Sequence, residues 1–523
     1  MTDGTDDPAN VLFVVMDTVR KSHLSVYGYD RPTTPNLEAF AEEAAVFEQA
    51  VAPAPWTLPV HASLFTGLYP SEHGATQENP YLEGATTLAA SLSAAGYRTS
   101  CYSSNAWITP YTNLTDGFDD QDNFFQVMPG EFLSGPLSRA WKAMNDNETL
   151  RSVADRLVEL GNTVHEYLAA GGGGDSKTPA VIDRTMDFVD GAVGPPTGAS
   201  DTATADGTAD APFFSFINLM DAHLPYHPPD EYVEEFAPGV DSTAVCQNSK
   251  EYNCGARNID DAEWDDIRGL YDAEIRHIDD QLGRLFDHLE ETGQWDDTLV
   301  IVCADHGELH GEHDLYGHEF CIYDPLVNVP LMVKHPDVEP KRDGETTVEL
   351  VDLYHTVLDH AGVDARGEAL DERRSLLSAD YRDFGDDPPA TGPTDVAVDD
   401  VGFVEYHRPV VELRQLESKA AAAGIELDEH SRFYSRMRAA RRPDAKYVRN
   451  ERIPDEAYRL DADPDERENV TETDDPEIAA VEAALAAFEE RVGGEWSDVD
   501  DDDVLDDMGD EAKDRLRDLG YIE

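Results

Sequence analysis

The stretch Val11-Leu12-Phe13-Val14-Val15-Met16-Asp17 is an unbroken apolar run, rich in β-branched residues, that stops on a carboxylate. A strand with one wet face alternates polar and apolar side chains. A run without alternation reads as a strand covered on both faces, as in a parallel sheet. Asp17 then falls at the carboxyl end of the strand, where open α/β sheets keep their ligands. An acid that merely caps the turn into Thr18-Val19-Arg20 is the competing reading until partners are found. Three later stretches also read as strands with polar side chains just after their ends, the second and third as buried strands like this one. Tyr97 to Ser103 leads to Asn105, Phe213 to Met220 leads to Asp221-Ala222-His223-Leu224-Pro225-Tyr226-His227, and Thr298 to Ala304 leads to Asp305-His306-Gly307-Glu308. Val329-Pro330-Leu331-Met332-Val333 is one more strand.

Helical patterns lie between these runs. Thr34-Pro35 opens a helix through about Ala45, and Thr87 to Ala95 forms another, stopped by Gly96. A further helix ends near Val189, and Thr346 to Ala361 reads as the last of this part. The clearest spans Asp260 to Thr292. There Trp264, Ile267, Tyr271, Ile275, Ile278, Leu282, Phe286 and Leu289 recur every three or four residues, so one stripe is buried and the Asp-rich face is expected to be solvated. Alternating strands and helices give an α/β fold: a doubly wound, mostly parallel sheet with helices on both faces. Beyond about residue 362 the pattern changes. Val396 to Tyr406, Lys446-Tyr447-Val448 and Tyr458-Arg459-Leu460 read as short antiparallel strands, and Pro476 to Val492 as a helix, which together form a smaller C-terminal α+β subdomain. The expected partition is an acidic tail over 1–10, a catalytic domain over 11–375 with a mobile surface insertion at 191–211, the subdomain over 376–495, and an acidic linker with a terminal helix over 496–523. Residues 130 to 170 read as helical pieces and polar turns.

Composition narrows the function. The 523 residues carry 39 basic against 109 acidic side chains, a net charge of −70, yet 40% are hydrophobic, so the chain folds beneath an acidic shell. That charge argues against nucleic-acid partners and anionic membranes. It suits a halophilic host with salt in its cytoplasm, where screening removes the self-repulsion. No apolar run approaches the ~20 residues of a membrane span and no secretory leader is legible at the N-terminus, so a cytoplasmic location is expected. Of five cysteines, Cys101 and Cys303 lie in strand-like runs and read as buried thiols. Cys246 and Cys254 share one polar loop, where two free thiols and a local disulfide are both open.

The chemistry is expected around Ala54-Pro55-Trp56-Thr57-Leu58-Pro59-Val60-His61-Ala62-Ser63-Leu64-Phe65-Thr66-Gly67. Pro59 fits a first helical turn and Gly67 a stop, which makes Thr57 the expected N-cap, a hydroxyl beside free backbone N–H groups and the positive end of the helix dipole. Asp305-His306 puts two adjacent ligand-type side chains at a strand end, and Gly307 is expected to let the backbone turn sharply there. This is the most specific metal pattern in the chain. Asn105 reads as a donor to a substrate oxygen or as a turn residue. His223 reads as an oxyanion donor or leaving-group acid, or as a plain surface histidine. His310, His313 and His318 follow in one loop, of which only some are expected to bind anything.

Assembled, these residues resemble the sulfatase family of the alkaline-phosphatase-like superfamily, over nearly the whole chain. The resemblance rests on Val14 to Arg20, Thr33-Thr34-Pro35-Asn36-Leu37, His61 to Pro70, Asp221 to Tyr226, Asp305 to Glu308 and Asp463-Pro464-Asp465-Glu466-Arg467-Glu468-Asn469. It implies a divalent cation, Ca2+, Mn2+ or Mg2+, on Asp17, Asp305 and His306, with the Thr57 hydroxyl expected as a further metal ligand. It also implies departures. Thr57-Leu58-Pro59-Val60-His61 stands where sulfatases carry Cys/Ser-x-Pro-x-Arg, whose first residue becomes formylglycine, and a secondary alcohol cannot give that aldehyde. His61 replaces the Arg of the motif, Thr18 replaces a second acidic ligand, and Asn105 and His318 stand near the places of two lysines. The expected activity is hydrolysis of a small-molecule or glycan sulfate or phosphate ester by attack of Thr57, a phosphoester being favoured on chemical grounds. Alternatives are sulfate hydrolysis without formylglycine, transfer to an alcohol acceptor, and a non-catalytic binding protein.

Overall fold

The computed structural model describes residues 10–76, 79–124, 176–191, 211–336, 338–363, 371–382, 400–494 and 496. The expected pieces at 130–170, the insertion at 192–210, the acidic run 498–507 and the terminal helix fall outside the described residues.

In chain order the strands are β1 (Asn10–Met16), β2 (Ala45–Val51), β3 (Arg98–Ser103), β4 (Asp120–Asn123), β5 (Phe213–Leu219), β6 (Thr298–Cys303), β7 (Leu309–His310), β8 (Tyr316–Gly317), β9 (Asn328–Lys334) and β10 (Lys341–Glu349). Eight of them form one sheet in the order β10-β2-β9-β6-β1-β5-β3-β4, while β7 and β8 make a hairpin. Only β9 runs against the others. The fold expected from the apolar runs is therefore present: β5 and β6 are buried at every position, and β1 at every position after Asn10. Because β6, β1, β5 and β3 are parallel neighbours, the residues that follow them, Asp305-His306, Asp17, His223 and Asn105, all emerge on one edge of the sheet.

Helices flank the sheet in two mutually packed groups. Pro35–Phe40, Thr178–Val189, Asp230–Phe236 and Asp261–Glu291 form one. Thr57–Thr66, Pro70–His73, Leu88–Ala95 and Asp352–His360 form the other. Asp260 caps the long helix by accepting from the Glu263 N–H, and its eight-residue apolar stripe is buried as expected. Its acidic face is less solvated than the periodicity suggests. Asp272 is buried between His23, Tyr29 and Arg31, and Asp279 is buried where it accepts the backbone N–H groups of Asn36 and Leu37.

Two expected helices are shorter than their patterns. The first ends at Phe40, and Ala45–Val51 is β2, pinned between β9 and β10. The segment from Thr346 starts as β10 and becomes helical only at Asp352. All five cysteines are free and buried.

The C-terminal part is an antiparallel sheet of β11 (Gly402–Tyr406), β12 (Met437–Arg441), β13 (Lys446–Asn450) and β14 (Glu456–Tyr458). On one face Phe403, Ala440 and Ala457 pack against Ile478, Val481, Leu485 and Phe488 of the helix Pro476–Arg491. On the other, Val404, Tyr406 and Val448 share a core with Leu309, Leu315 and Leu326 from the loop that follows Asp305-His306. The small sheet thus backs the loop that carries half of the candidate site. Strand β12 and the helix Val410–Ala423 have no counterpart among the expected elements.

Candidate metal and ester site

The site is built where four strand ends meet one helix start. Thr57 is the first residue of the helix Thr57–Thr66, and the cap position belongs to Trp56, so the expected N-cap is corrected by one residue. The hydroxyl of Thr57 therefore caps nothing. It accepts from Asn105 Nδ2 at 3.3 Å and lies 3.5 Å from His306 Nε2. Asn105 is held with its carbonyl oxygen taking the Trp107 N–H at 2.8 Å, which leaves its NH2 for Thr57 and for Asp17 Oδ2 at 2.8 Å. Asn218 Nδ2 donates to the same Asp17 oxygen at 3.1 Å and approaches His61 Nε2 at 3.5 Å. Sequence reasoning missed Asn218, although an amide in the otherwise apolar Phe216-Ile217-Asn218-Leu219 is a legible signal.

Asp17, Asp305 and His306 are fully buried, and one ligand atom of each lies within 4.8 Å of the others. Among the described residues they form the one such cluster. Asp305 Oδ1 accepts the backbone N–H groups of His306 at 2.9 Å and Thr18 at 3.2 Å, but Asp305 Oδ2, 3.5 Å from His306 Nε2, and Asp17 Oδ1 have no hydrogen-bond partner. His306 donates Nδ1–H to the Gly307 carbonyl at 3.0 Å, so its Nε2 keeps a lone pair. Burial, and then the neighbouring Asp17 carboxylate, push the Asp305 carboxyl well above its ordinary range; burial, and then His318, hold His306 well below it. Two orphaned carboxylate oxygens and a neutral imidazole nitrogen, all facing one another away from water, fit a divalent cation and little else. Their two negative charges and mixed O/N donors suit Ca2+, Mn2+ or Mg2+.

Thr18 does not stand in for an acidic ligand. It adopts φ 58°, and its hydroxyl donates to the backbone carbonyls of Ala222 or Asp17, so only its N–H serves the site, through Asp305. Gly307 is needed for a different reason than a sharp turn: a Cβ there would sit 2.0 Å from the Pro325 carbonyl oxygen.

His61 is fully buried, and burial lowers its pKa to about 4, so it is a neutral ring that donates Nδ1–H to the Thr57 carbonyl at 2.9 Å. His223 and His318 pack edge to face, with centroids 5.1 Å apart, and the His318 ring lies 4.6 Å from that of His306. Burial alone would lower His318, but Glu308, whose Oε1 is 3.3 Å from its Nδ1, and then Glu319 raise it to about 9. The other loop histidines go elsewhere: His310 Nε2 is 3.0 Å from the Tyr226 hydroxyl, and His313 stacks on Tyr323. No lysine or arginine among the described residues pairs with Asp17, Thr57, Asp305 or His306.

A hydroxyl, an Asp-Asp-His cluster and amide donors thus meet at the carboxyl edge of a doubly wound sheet. The chain belongs to the sulfatase family of the alkaline-phosphatase-like superfamily, whose sequence profile matches residues 9–363, and it is a sulfate or phosphate ester hydrolase. It is 26% identical over 371 residues to the Escherichia coli protein named uncharacterized sulfatase YidJ, covering 68% of each chain. It is 26% identical over 522 residues, 90% of this chain and 92% of the other, to the multifunctional alkaline phosphatase superfamily protein PehA of Trinickia caryophylli. The phosphonate monoester hydrolase of Agrobacterium radiobacter shares its fold, with a TM-score of 0.61 at 21% identity over 92% and 95% of the two chains.

Proposed function

We propose that the protein hydrolyses a phosphoester through attack by Thr57, with Asp17, Asp305 and His306 as the residues that hold a divalent cation. The carrying observation is the Thr57 hydroxyl, which accepts from the Asn105 amide at 3.3 Å and lies 3.5 Å from His306 Nε2. When bound, the cation favours the alkoxide form of a nearby hydroxyl and draws charge from the ester oxygens. Thr57 Oγ1 then forms a bond to phosphorus as the bond to the leaving oxygen breaks. That oxygen takes a proton from His318 or His223, and the Asn105 amide supports the developing charge. Water attacks the phosphorus of the threonyl ester in a second step and releases Thr57, a diester substrate leaving as the phosphate monoester that keeps its second substituent.

Phosphorus is favoured over sulfur because threonine has no aldehyde hydrate with which to expel sulfate by elimination. The donors beside Thr57 are neutral apart from His318, which suits a singly charged ester such as a diester better than a dianionic phosphate monoester. The substrate is a small molecule or glycan ester, and the acidic shell is that of a protein working in a salt-rich cytoplasm. No helix among the described residues is long and apolar enough to cross a membrane. Parallel assays of Mn2+-loaded enzyme on aryl phosphodiester, aryl phosphate and aryl sulfate test the reading, with the diester expected to turn over fastest. Sulfate turnover in excess of both phosphates, by unmodified Thr57, would replace it with direct sulfate hydrolysis.

A further inference from the structure

Trp56 fills the cap position immediately before Thr57, and it is 6% exposed. Its indole packs edge to face on Trp107, with centroids 5.8 Å apart, and the Trp107 backbone N–H holds the Asn105 carbonyl oxygen. Trp56 is thus the chain neighbour of Thr57, and its ring partner Trp107 holds Asn105. Trp56 Nε1 is buried and has no hydrogen-bond partner. An unmet buried donor costs about 1–3 kcal/mol, and native folds keep few of them. Asp17 Oδ1 and Asp305 Oδ2, also unmet, are the carboxylate oxygens that suit a cation, and Thr109 Oγ1, close to Trp107, is an unmet hydroxyl. Trp56 Nε1 can only donate, so what completes it is an acceptor.

We propose that the Trp56 indole N–H is a substrate-binding donor, which hydrogen-bonds a non-bridging oxygen of the bound phosphate or sulfate ester and sets the orientation of that group against Thr57. This rests on the ester-hydrolase reading of the site. A neutral donor on an aromatic frame adds hold without adding charge, in keeping with the other neutral donors beside Thr57.

The test uses full-length Mn2+-loaded protein in high salt and measures calorimetric affinity for inorganic phosphate and for orthovanadate. Trp56→Phe keeps the ring and loses the donor. Benzothienylalanine placed at position 56 keeps the shape of indole with sulfur in place of N–H, and serves should the phenyl ring leave a fold-breaking gap. Loss of a hydrogen bond to an anion weakens binding about 10- to 100-fold, and that loss is expected in whichever replacement folds, with Mn2+ content unchanged. Anion affinity within threefold of wild type in a folded replacement would overturn the proposal. In wild-type protein with 15N-indole tryptophan, vanadate is expected to shift the Trp56 N–H resonance downfield, and an unmoved resonance would also overturn it. These readouts need no turnover, so an active Thr57→Ala variant would sink the nucleophile assignment while leaving the Trp56 result to stand or fall separately.

Discussion

Asp305→Asn separates the cost of the site from its use. In the metal-free protein, two carboxylates with ligand atoms within 4.8 Å face each other in a buried pocket. At an effective dielectric of about 20 they repel by about 3 kcal/mol or more. Uptake of a proton by Asp305, whose carboxyl is raised by burial and by Asp17, relieves part of this. Asparagine keeps a carbonyl oxygen for the His306 and Thr18 N–H groups and brings an NH2 toward the oxygens of Asp17. Metal-free D305N is therefore expected to be more stable than metal-free wild type by about 1 to 3 kcal/mol at pH 8. The sign with pH follows. A carboxyl raised on folding binds more protons in the native state, so wild-type stability falls as pH rises from the unfolded value through the folded one, and D305N flattens that slope. Wild type should gain about 2.7 kcal/mol from Mn2+ at a hundred times its dissociation constant, and D305N nearly nothing. Denaturant titration of both proteins in concentrated salt, with EDTA and with Mn2+, reads all four stabilities. A metal-free D305N that is less stable than wild type by more than about 1 kcal/mol, or one that still gains from Mn2+, would refute the reasoning.

Asn105→Ala removes the donor to Thr57 and is expected to lower kcat by about 10²- to 10³-fold on the preferred ester; steady-state kinetics on metal-saturated enzyme check it. Gly307→Ala drives a Cβ against the Pro325 carbonyl oxygen and is expected to cost about 1 to 3 kcal/mol together with metal affinity, read by thermal unfolding and metal titration. Dilution from about 1 M to about 0.1 M salt lengthens the screening distance from about 3 Å to about 10 Å, so a chain of net charge −70 should unfold, as followed by circular dichroism. Full activity after desalting without divalent ions would contradict that expectation.

What could be read in the sequence was whatever is decided locally. Runs such as Val11 to Met16 and Thr298 to Cys303 have no polar side to expose, so only a buried strand suits them. The side chains that follow them inherit their place from the parallel order of β6, β1, β5 and β3. What could not be read was decided by distant partners. Ala45–Val51 carries Glu48 and Gln49 and becomes a strand only because β9 and β10 pair with it. Met437–Arg441 is a strand through its pairing with β11 and β13, and its buried Arg438 and Arg441 are met by Glu405 and Asp324, carboxylates far away in the chain. The sequence shows that Thr18 stands where the family resemblance has an acidic ligand, but not that its left-handed backbone lets the hydroxyl reach the Ala222 carbonyl. Asn218 and Glu308 matter through what they touch, Asp17 and His318; an amide in an apolar strand and an acid after Asp305-His306-Gly307 can be seen in the sequence, but which side chain each meets cannot.

The account stands on the hydroxyl at position 57 as the attacking group. Intact-protein mass spectrometry of Mn2+-loaded wild type, quenched in acid during turnover of an aryl phosphodiester, should find one adduct, the phosphoryl group with its retained ester substituent, mapped by fragmentation to Thr57 and absent from Thr57→Ala, which turns over nothing. An unmodified Thr57 in a rapidly turning-over enzyme, or a Thr57→Ala variant that keeps wild-type rates, would contradict it.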